Sequence, residues 1–202
     1  MTFYPTLEAS IEAARKLTVP EERQTVLQVL IDYIQSKKDA AQPVLLNFIC
    51  THNSRRSQFS QIWAQTLADK LGVKIHSYSG GVEVTAFNER AIASIQRTGF
   101  KISLDGVSNP KVNVKHSDEG SPVIAFSKLF DDATNPQTGF AAVMTCSHAD
   151  ENCPFIAGAE MRIPVRYQDP KAFDDTEMEG QKYDERSLQI ASEMAYVFSK
   201  IR

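Results

Sequence analysis

Val44-Leu45-Leu46-Asn47-Phe48-Ile49-Cys50-Thr51-His52-Asn53-Ser54-Arg55-Arg56-Ser57 is the stretch whose reading decides the fold. Val44 to Ile49 is a short, nearly continuous apolar run, which suits a strand buried on both faces of a parallel sheet. A polar loop follows. From about Ser57 a helix places Phe59, Ile62, Trp63, Thr66 and Leu67 inward, and Gly72 stands where a helix C-terminus favours glycine. Outward from there, Val73 to Tyr78 reads as the next strand and Asn88 to Thr98 as a helix stopped by Gly99. Phe140 to Thr145 and Met161 to Val165 read as third and fourth strands. A terminal helix from about Glu185 carries Leu188, Ala191, Ala195, Phe198 and Ile201 on one side. Strands alternating with helices imply an α/β fold: a parallel sheet with helices on both faces and right-handed crossovers. Between Leu104 and Gln137, Val112 to Val114 and Val123 to Phe126 are candidate strands in a stretch broken by Asn, Asp, Gly and Pro.

Upstream, two amphipathic helices open the chain. One spans about Leu7 to Leu17; the other follows Pro20 with Leu27, Leu30, Ile31 and Ile34 on one face. The polar run from Ser36 to Pro43 reads as a linker. The expected organisation is a helical extension over residues 1–42 and one α/β domain over 43–202. A length of 202 residues suits one sizeable core. With 22 Lys+Arg against 25 Asp+Glu, the net charge of −3 argues against a nucleic-acid partner. No apolar run approaches the roughly 18 residues of a membrane span, so no membrane partner is expected. The opening Met1-Thr2-Phe3-Tyr4-Pro5 does not resemble a secretory signal. Three cysteines do not make a disulfide framework, and thiols in a cytoplasmic protein are the expectation.

Cys50 ends the first strand, where an α/β sheet places its ligands and the next helix points its N-terminus. Loop N–H groups and the helix dipole make an anion cradle there. The planar fork of Arg56 matches two oxygens of an oxyanion, and the same field favours a thiolate at Cys50. Asn53 tolerates the positive φ that such a loop demands. The C-x5-R spacing by itself is weak; its position between an apolar strand and an amphipathic helix, with Ser57 following, is specific. Cys146 follows the third strand and so emerges at the same sheet edge. Cys153 lies seven residues on, in a polar stretch where backbone rearrangement is cheap, and a loop of that length can close a disulfide. A zinc site using Cys146, His148 and Cys153 has poor spacing and no second ligand pair, so no metal is expected. Asp169 precedes Pro170, which keeps its backbone extended and lets the carboxylate project from a loop, with Asp174 and Asp175 nearby as substitutes. His76 and His116 read as structural or solvated.

Cys50 to Ser57, with the apolar strand before and Gln58 after, resembles the phosphate-binding loop of the low-molecular-weight protein tyrosine phosphatase fold. Ser79-Gly80-Gly81 and Asn88-Glu89-Arg90-Ala91 are similar to that fold's second strand exit and following helix. Met144-Thr145-Cys146-Ser147-His148-Ala149-Asp150-Glu151-Asn152-Cys153-Pro154 resembles the redox segment of one branch, the thioredoxin-coupled arsenate reductases. Tyr167-Gln168-Asp169-Pro170 resembles the loop that carries its general acid. The resemblance implies an arsenate or phosphate oxyanion held by Thr51, His52, Asn53, Ser54, Arg55, Arg56 and Ser57. It implies catalysis by Cys50, Arg56, Cys146, Cys153 and Asp169, a Cys50–Cys146 and then a Cys146–Cys153 disulfide, and thioredoxin as reductant. No cofactor is required, since thiols supply the electrons. The alternative is a phosphatase for phosphotyrosine or a small phosphoester, using Cys50, Arg56 and Asp169 with water as the resolving nucleophile. A third reading is an anion or redox sensor without turnover. The sequence departs from the pattern at His52, where Gly is usual, and at Arg55, where a second loop cysteine is common. Gln61 replaces a Glu that helps some reductases bind potassium, so that ion is not carried over. The N-terminal helices and the segment from Leu104 to Gln137 lie outside the family pattern and would serve as a homo-oligomer interface or as a substrate lid.

Overall fold

The computed structural model describes residues 1–152 and 155–202. Helices α1 (Pro5–Lys16) and α2 (Glu21–Asp39) precede strand β1 (Leu45–Cys50), helix α3 (Arg56–Leu71), strand β2 (His76–Gly81) and helix α4 (Glu89–Arg97). Strands β3 (Lys101–Asp105), β4 (Lys111–Lys115) and β5 (Val123–Ala125) follow, then β6 (Phe140–Met144), α5 (Ser147–Asn152), β7 (Ala159–Pro164), a 3-10 turn at Pro170–Phe173, and α6 (Glu179–Ser199).

The main sheet has the order β2-β1-β6-β7 with every pairing parallel. From β1 the chain pairs β2 on one side and later β6 on the other, so the strand order reverses at β1. That reversal leaves a crevice beyond the C-terminal ends of the strands. Alternate residues of β1 and β6 enter different apolar clusters, as the two-residue period of a strand requires. Leu46, Phe48, Ala141 and Val143 join the main core with Trp63, Leu67, Ile190 and Met194 of α3 and α6. Ile49, Cys50, Ala142, Met144, Cys146, Ala149 and Ile156 form a second cluster. Both faces of the sheet are therefore covered, which is why β1 reads as a nearly continuous apolar run, broken only by Asn47, whose amide donates to the Phe130 carbonyl.

The N-terminal helices bury Leu7, Ile11 and Ala14 from α1 and Leu27, Leu30, Ile31, Tyr33 and Ile34 from α2. These side chains belong to the same cluster as the sheet's core, with α1 and α2 against α6 and α2 also against β7. No helix among the described residues is long and apolar enough to cross a membrane.

Several boundaries differ from the sequence expectation. Strand β2 covers His76–Gly81 rather than Val73 to Tyr78. Val73 and Ile75 are buried but precede the ladder, whose inward Ser77 and Ser79 are polar and bond to Gln61 of α3. Helix α6 starts at Glu179, six residues before the expected point. Its first turn is polar and shows no apolar period; Arg90 and the Asp175 N–H hold the Glu179 carboxylate there. Helix α2 runs through Ser36–Asp39, part of the expected linker. Strand β3 was not expected at all: its residues are almost entirely exposed, so only its antiparallel pairing with β4 marks it. With β5 these strands form a separate three-stranded sheet.

Candidate functional site

Cys50 ends β1, and Thr51 to Arg55 wrap once before α3 begins at Arg56. The wrap turns on Asn53, whose φ of 46° lies in the left-handed region that asparagine tolerates. The Asn53 side chain then fastens the loop in two directions. Its Oδ1 accepts from the Lys128 N–H at 3.0 Å, and its Nδ2 donates to Ser57 Oγ at 2.8 Å. Ser57 Oγ lies 3.1 Å from Cys50 Sγ. Since Ser57 accepts from Asn53, its own proton is available to the sulfur. Gln58 Nε2 donates to the Asn53 carbonyl at 2.8 Å, and the Ser127 hydroxyl donates to the His52 carbonyl at 2.8 Å. Ser54 Oγ donates to the Ala86 carbonyl at 2.7 Å. The His52 ring turns toward Glu83, 3.3 Å away. The loop is thus braced by its neighbours on both sides of Asn53.

Gly81, at the end of β2, is part of that bracing. A Cβ there would stand 2.7 Å from Glu83 O, 2.8 Å from Asn53 N and 2.9 Å from Thr51 O, all backbone atoms. Gly81→Ala is expected to cost about 1–3 kcal/mol, the usual price of overpacking, and to displace the loop. Urea unfolding measures the first effect and oxyanion affinity the second. Wild-type values for both would show that the loop yields freely.

A small pocket is lined by Cys50, His52, Ser54, Arg55, Arg56 and Asp169. Arg56 Nη2 donates to Asp169 Oδ2 at 2.7 Å, and Arg55 Nε to Asp169 Oδ1 at 2.8 Å. Arg56 Nη1 also donates to the Tyr167 carbonyl at 3.2 Å, and the Lys171 N–H donates to Asp169 at 3.1 Å. Burial alone would push the Asp169 carboxyl up. The Arg56 and Arg55 guanidiniums, with the Lys171 N–H, outweigh it and hold the carboxyl below its ordinary value. Asp169 is therefore a paired carboxylate in this state.

Cys146 lies two residues beyond β6, beside the end of β1, where the Thr145 N–H donates to the Ile49 carbonyl at 2.7 Å. Cys50 and Cys146 are both free thiols and both buried. Thr51 Oγ1 bridges the region, 3.5 Å from Cys146 Sγ and 3.3 Å from His148 Nδ1. Cys146 Sγ accepts from the Ala149 N–H at 3.3 Å, at the start of α5. Asp150 of α5 is buried and pairs with Arg162 and Arg166, so α5 is tied to β7 and the chain beyond it. Burial would raise the Asp150 carboxyl, and the two arginines reverse that and hold it low. Cys153 lies outside the described residues.

Asp174 accepts from the Tyr183 hydroxyl at 2.7 Å, and Asp175 pairs with Arg90 at 2.6 Å; neither lines the small pocket. His76 is exposed, whereas His116 is buried between Phe3 and Asp69. Among the described residues no group of three or more His, Cys, Asp or Glu side chains could hold a metal ion. Sequence reasoning overlooked the braces: Lys128 and Ser127 lie more than 70 residues from the loop they hold. It also gave Arg55 no part in pairing with Asp169, since a neighbouring arginine shows no direction until the helix start is built.

No protein-family model matches the chain. The chain is 32% identical over 123 residues to arsenate reductase 2 of Staphylococcus haemolyticus, covering 61% of this chain and 76% of that protein. It is 32% identical over 124 residues to an arsenate reductase of Bacillus cereus, covering 61% and 74%. A low-molecular-weight phosphotyrosine phosphatase from Vibrio cholerae shares the fold, with a TM-score of 0.51, 14% identity, and coverage of 77% of this chain and 94% of that one. A strand-end cysteine loop on this parallel sheet, with relatives at that identity and coverage, leads to one assignment: the chain belongs to the arsenate reductase family.

Proposed function

We propose that the protein reduces arsenate to arsenite through a Cys50, Cys146 and Cys153 thiol relay regenerated by thioredoxin, with residues 43–202 as the catalytic unit and residues 1–42 as a helical layer over it. The observation that carries the reading is the placement of two buried cysteines at the same edge of the sheet, Cys50 at the end of β1 and Cys146 two residues beyond the adjacent parallel β6. Arsenate is a tetrahedral oxyanion. It would sit on the N–H groups of Thr51 to Ser57 with Arg56 turned onto two of its oxygens. The Cys50 thiolate attacks arsenic, forming an S–As bond as one As–O bond breaks, and Asp169 delivers the proton with which that oxygen leaves as water. The Cys146 thiolate then attacks Cys50 Sγ. The S–As electron pair passes to arsenic, which falls from the +5 to the +3 state while two thiols are oxidised to a disulfide. Cys153 attacks Cys146 next, freeing Cys50, and thioredoxin's two thiols take up the Cys146–Cys153 disulfide. No cofactor enters this sequence.

One observation favours a second reading. A wider groove shares His52, Ser54 and Arg55 with the reaction pocket and is walled by Phe87, Ile92, Leu104 and Val107. An apolar-walled groove at the pocket mouth suits the organic part of a phosphoester, for which Cys50 would be phosphorylated and water would resolve the intermediate. The deciding experiment compares thioredoxin-dependent arsenate reduction with aryl phosphate hydrolysis on one purified sample. Arsenate turnover at least tenfold faster is the expected outcome. Fast phosphate release with no arsenite formed would establish the phosphatase instead.

A further inference from the structure

The N-terminal helices reach the reaction pocket through a short chain of contacts. Arg23 of α2 makes a two-pronged pair with Glu193 of α6, Nε to Oε1 at 2.9 Å and Nη2 to Oε2 at 2.7 Å. Glu193 is only 2% exposed and also accepts from the Tyr167 hydroxyl at 2.9 Å and from Gln189 Nε2 at 3.0 Å. The Arg23 guanidinium lies 5.2 Å over the Tyr167 ring. Tyr167 is therefore held at its ring and its hydroxyl by Arg23 and Glu193. Its backbone N–H is held by the Thr145 carbonyl at 3.1 Å. The carbonyl of this clamped residue accepts from Arg56, and two residues on stands Asp169, which grips Arg56 and Arg55.

We propose that Arg23 is a positioning residue for the reaction pocket: through Glu193 and Tyr167 it fixes the strap from Tyr167 to Asp169, and so sets where Arg56 and Asp169 stand. The proposal rests on reading those two residues as oxyanion ligand and acid. Physical cost argues for a purpose beyond fastening. A buried ion pair adds little stability over packed apolar side chains, whereas its geometry is directional, and four donors on one carboxylate leave it no freedom to move. A second guanidinium, Arg186, is half-buried beside Arg56 and Arg23, with its Nε unpaired. Burial and these like charges hold its pKa down, while Glu193 and Tyr167 favour its charged form. Glu193 thus pairs with Arg23 directly and also favours the charged form of Arg186.

The test uses the full chain in three forms: Arg23→Lys, Arg23→Met, and Arg23→Met with Glu193→Met. Arg23→Met alone strands a buried carboxylate and is expected to lower the thermal midpoint. The double variant removes that stranded carboxylate, though the Tyr167 hydroxyl loses its partner, and is expected to melt above Arg23→Met. The decisive readout is the titration of the Asp169 carboxyl by carbon NMR. The groups facing it are Arg55 just before α3 and Arg56 at its start, the Lys171 N–H, Tyr183 of α6, and Asp174 beside that tyrosine. None is altered in the three forms. With the strap loosened, the Arg56 pair weakens, so the Asp169 midpoint should rise toward the ordinary carboxylate value. In the same variants kcat for arsenate should fall roughly tenfold or more, as misplacement of about an ångström does elsewhere. Arg23→Lys keeps the charge but loses the fork, and should show a smaller shift of the same sign. A double variant, or an Arg23→Lys variant, that folds, titrates Asp169 and turns over like the wild type would reduce Arg23 to a fastener and overturn the proposal. If the wild type reduces no arsenate, the functional reading fails separately, and the Asp169 titration still decides the role of Arg23.

Discussion

Cys50→Ser is expected to lower arsenate reduction by roughly a thousandfold or more, because a serine hydroxyl is a far weaker nucleophile than a thiolate at neutral pH. The substitution removes little else. The pocket side chains are unchanged, and Ser57, 3.1 Å from the sulfur, can hydrogen-bond a hydroxyl as well as a thiol. Binding of an inert tetrahedral oxyanion such as sulfate should therefore survive within about tenfold while chemistry is lost, since the cradle of N–H groups is backbone. Calorimetry measures the binding and arsenite release measures the chemistry. Substantial arsenite release by Cys50→Ser would remove the mechanism, because no other described thiol stands in the lining of that pocket.

Cys153→Ser separates the reductase from the phosphatase. In the relay, Cys50 and Cys146 suffice to release one arsenite per chain, so a burst of one equivalent should appear at normal rate. Turnover should then stop, with Cys50 and Cys146 joined. Both residues are buried before reaction, Cys50 at 3% and Cys146 at 1% exposure, so a crosslink between them is poorly presented to a thioredoxin thiolate. Mass spectrometry of the stalled protein should show that crosslink as a loss of about two mass units between the two cysteine peptides. A phosphatase would instead hydrolyse phosphoester at the wild-type rate in the same variant, because water resolves its intermediate. Sustained arsenate turnover by Cys153→Ser with thioredoxin as sole reductant would sink the three-thiol relay.

The sequence by itself determined the parallel sheet and the loop at its edge. Leu45 to Cys50 is apolar except for Asn47 because the strand it forms is covered on both faces, and the turn into α3 carries residues whose chemistry is local: Asn53 for a positive φ, Ser57 within reach of the sulfur. Such features depend on neighbours a few residues away, so their pattern is written in order along the chain. Strand β3 and the polar first turn of α6 left no such pattern, since one is exposed and the other is held by Arg90 from a distant helix. Only the tertiary structure decided that Asp169 is paired to both Arg55 and Arg56, and that Lys128 and Ser127 brace the anion loop. It alone brought Arg23, 170 residues from Glu193, onto the strap behind the pocket. The reason is physical: hydrogen bonds and ion pairs between side chains have directions set by where whole elements pack, and spacing along a chain carries no such direction.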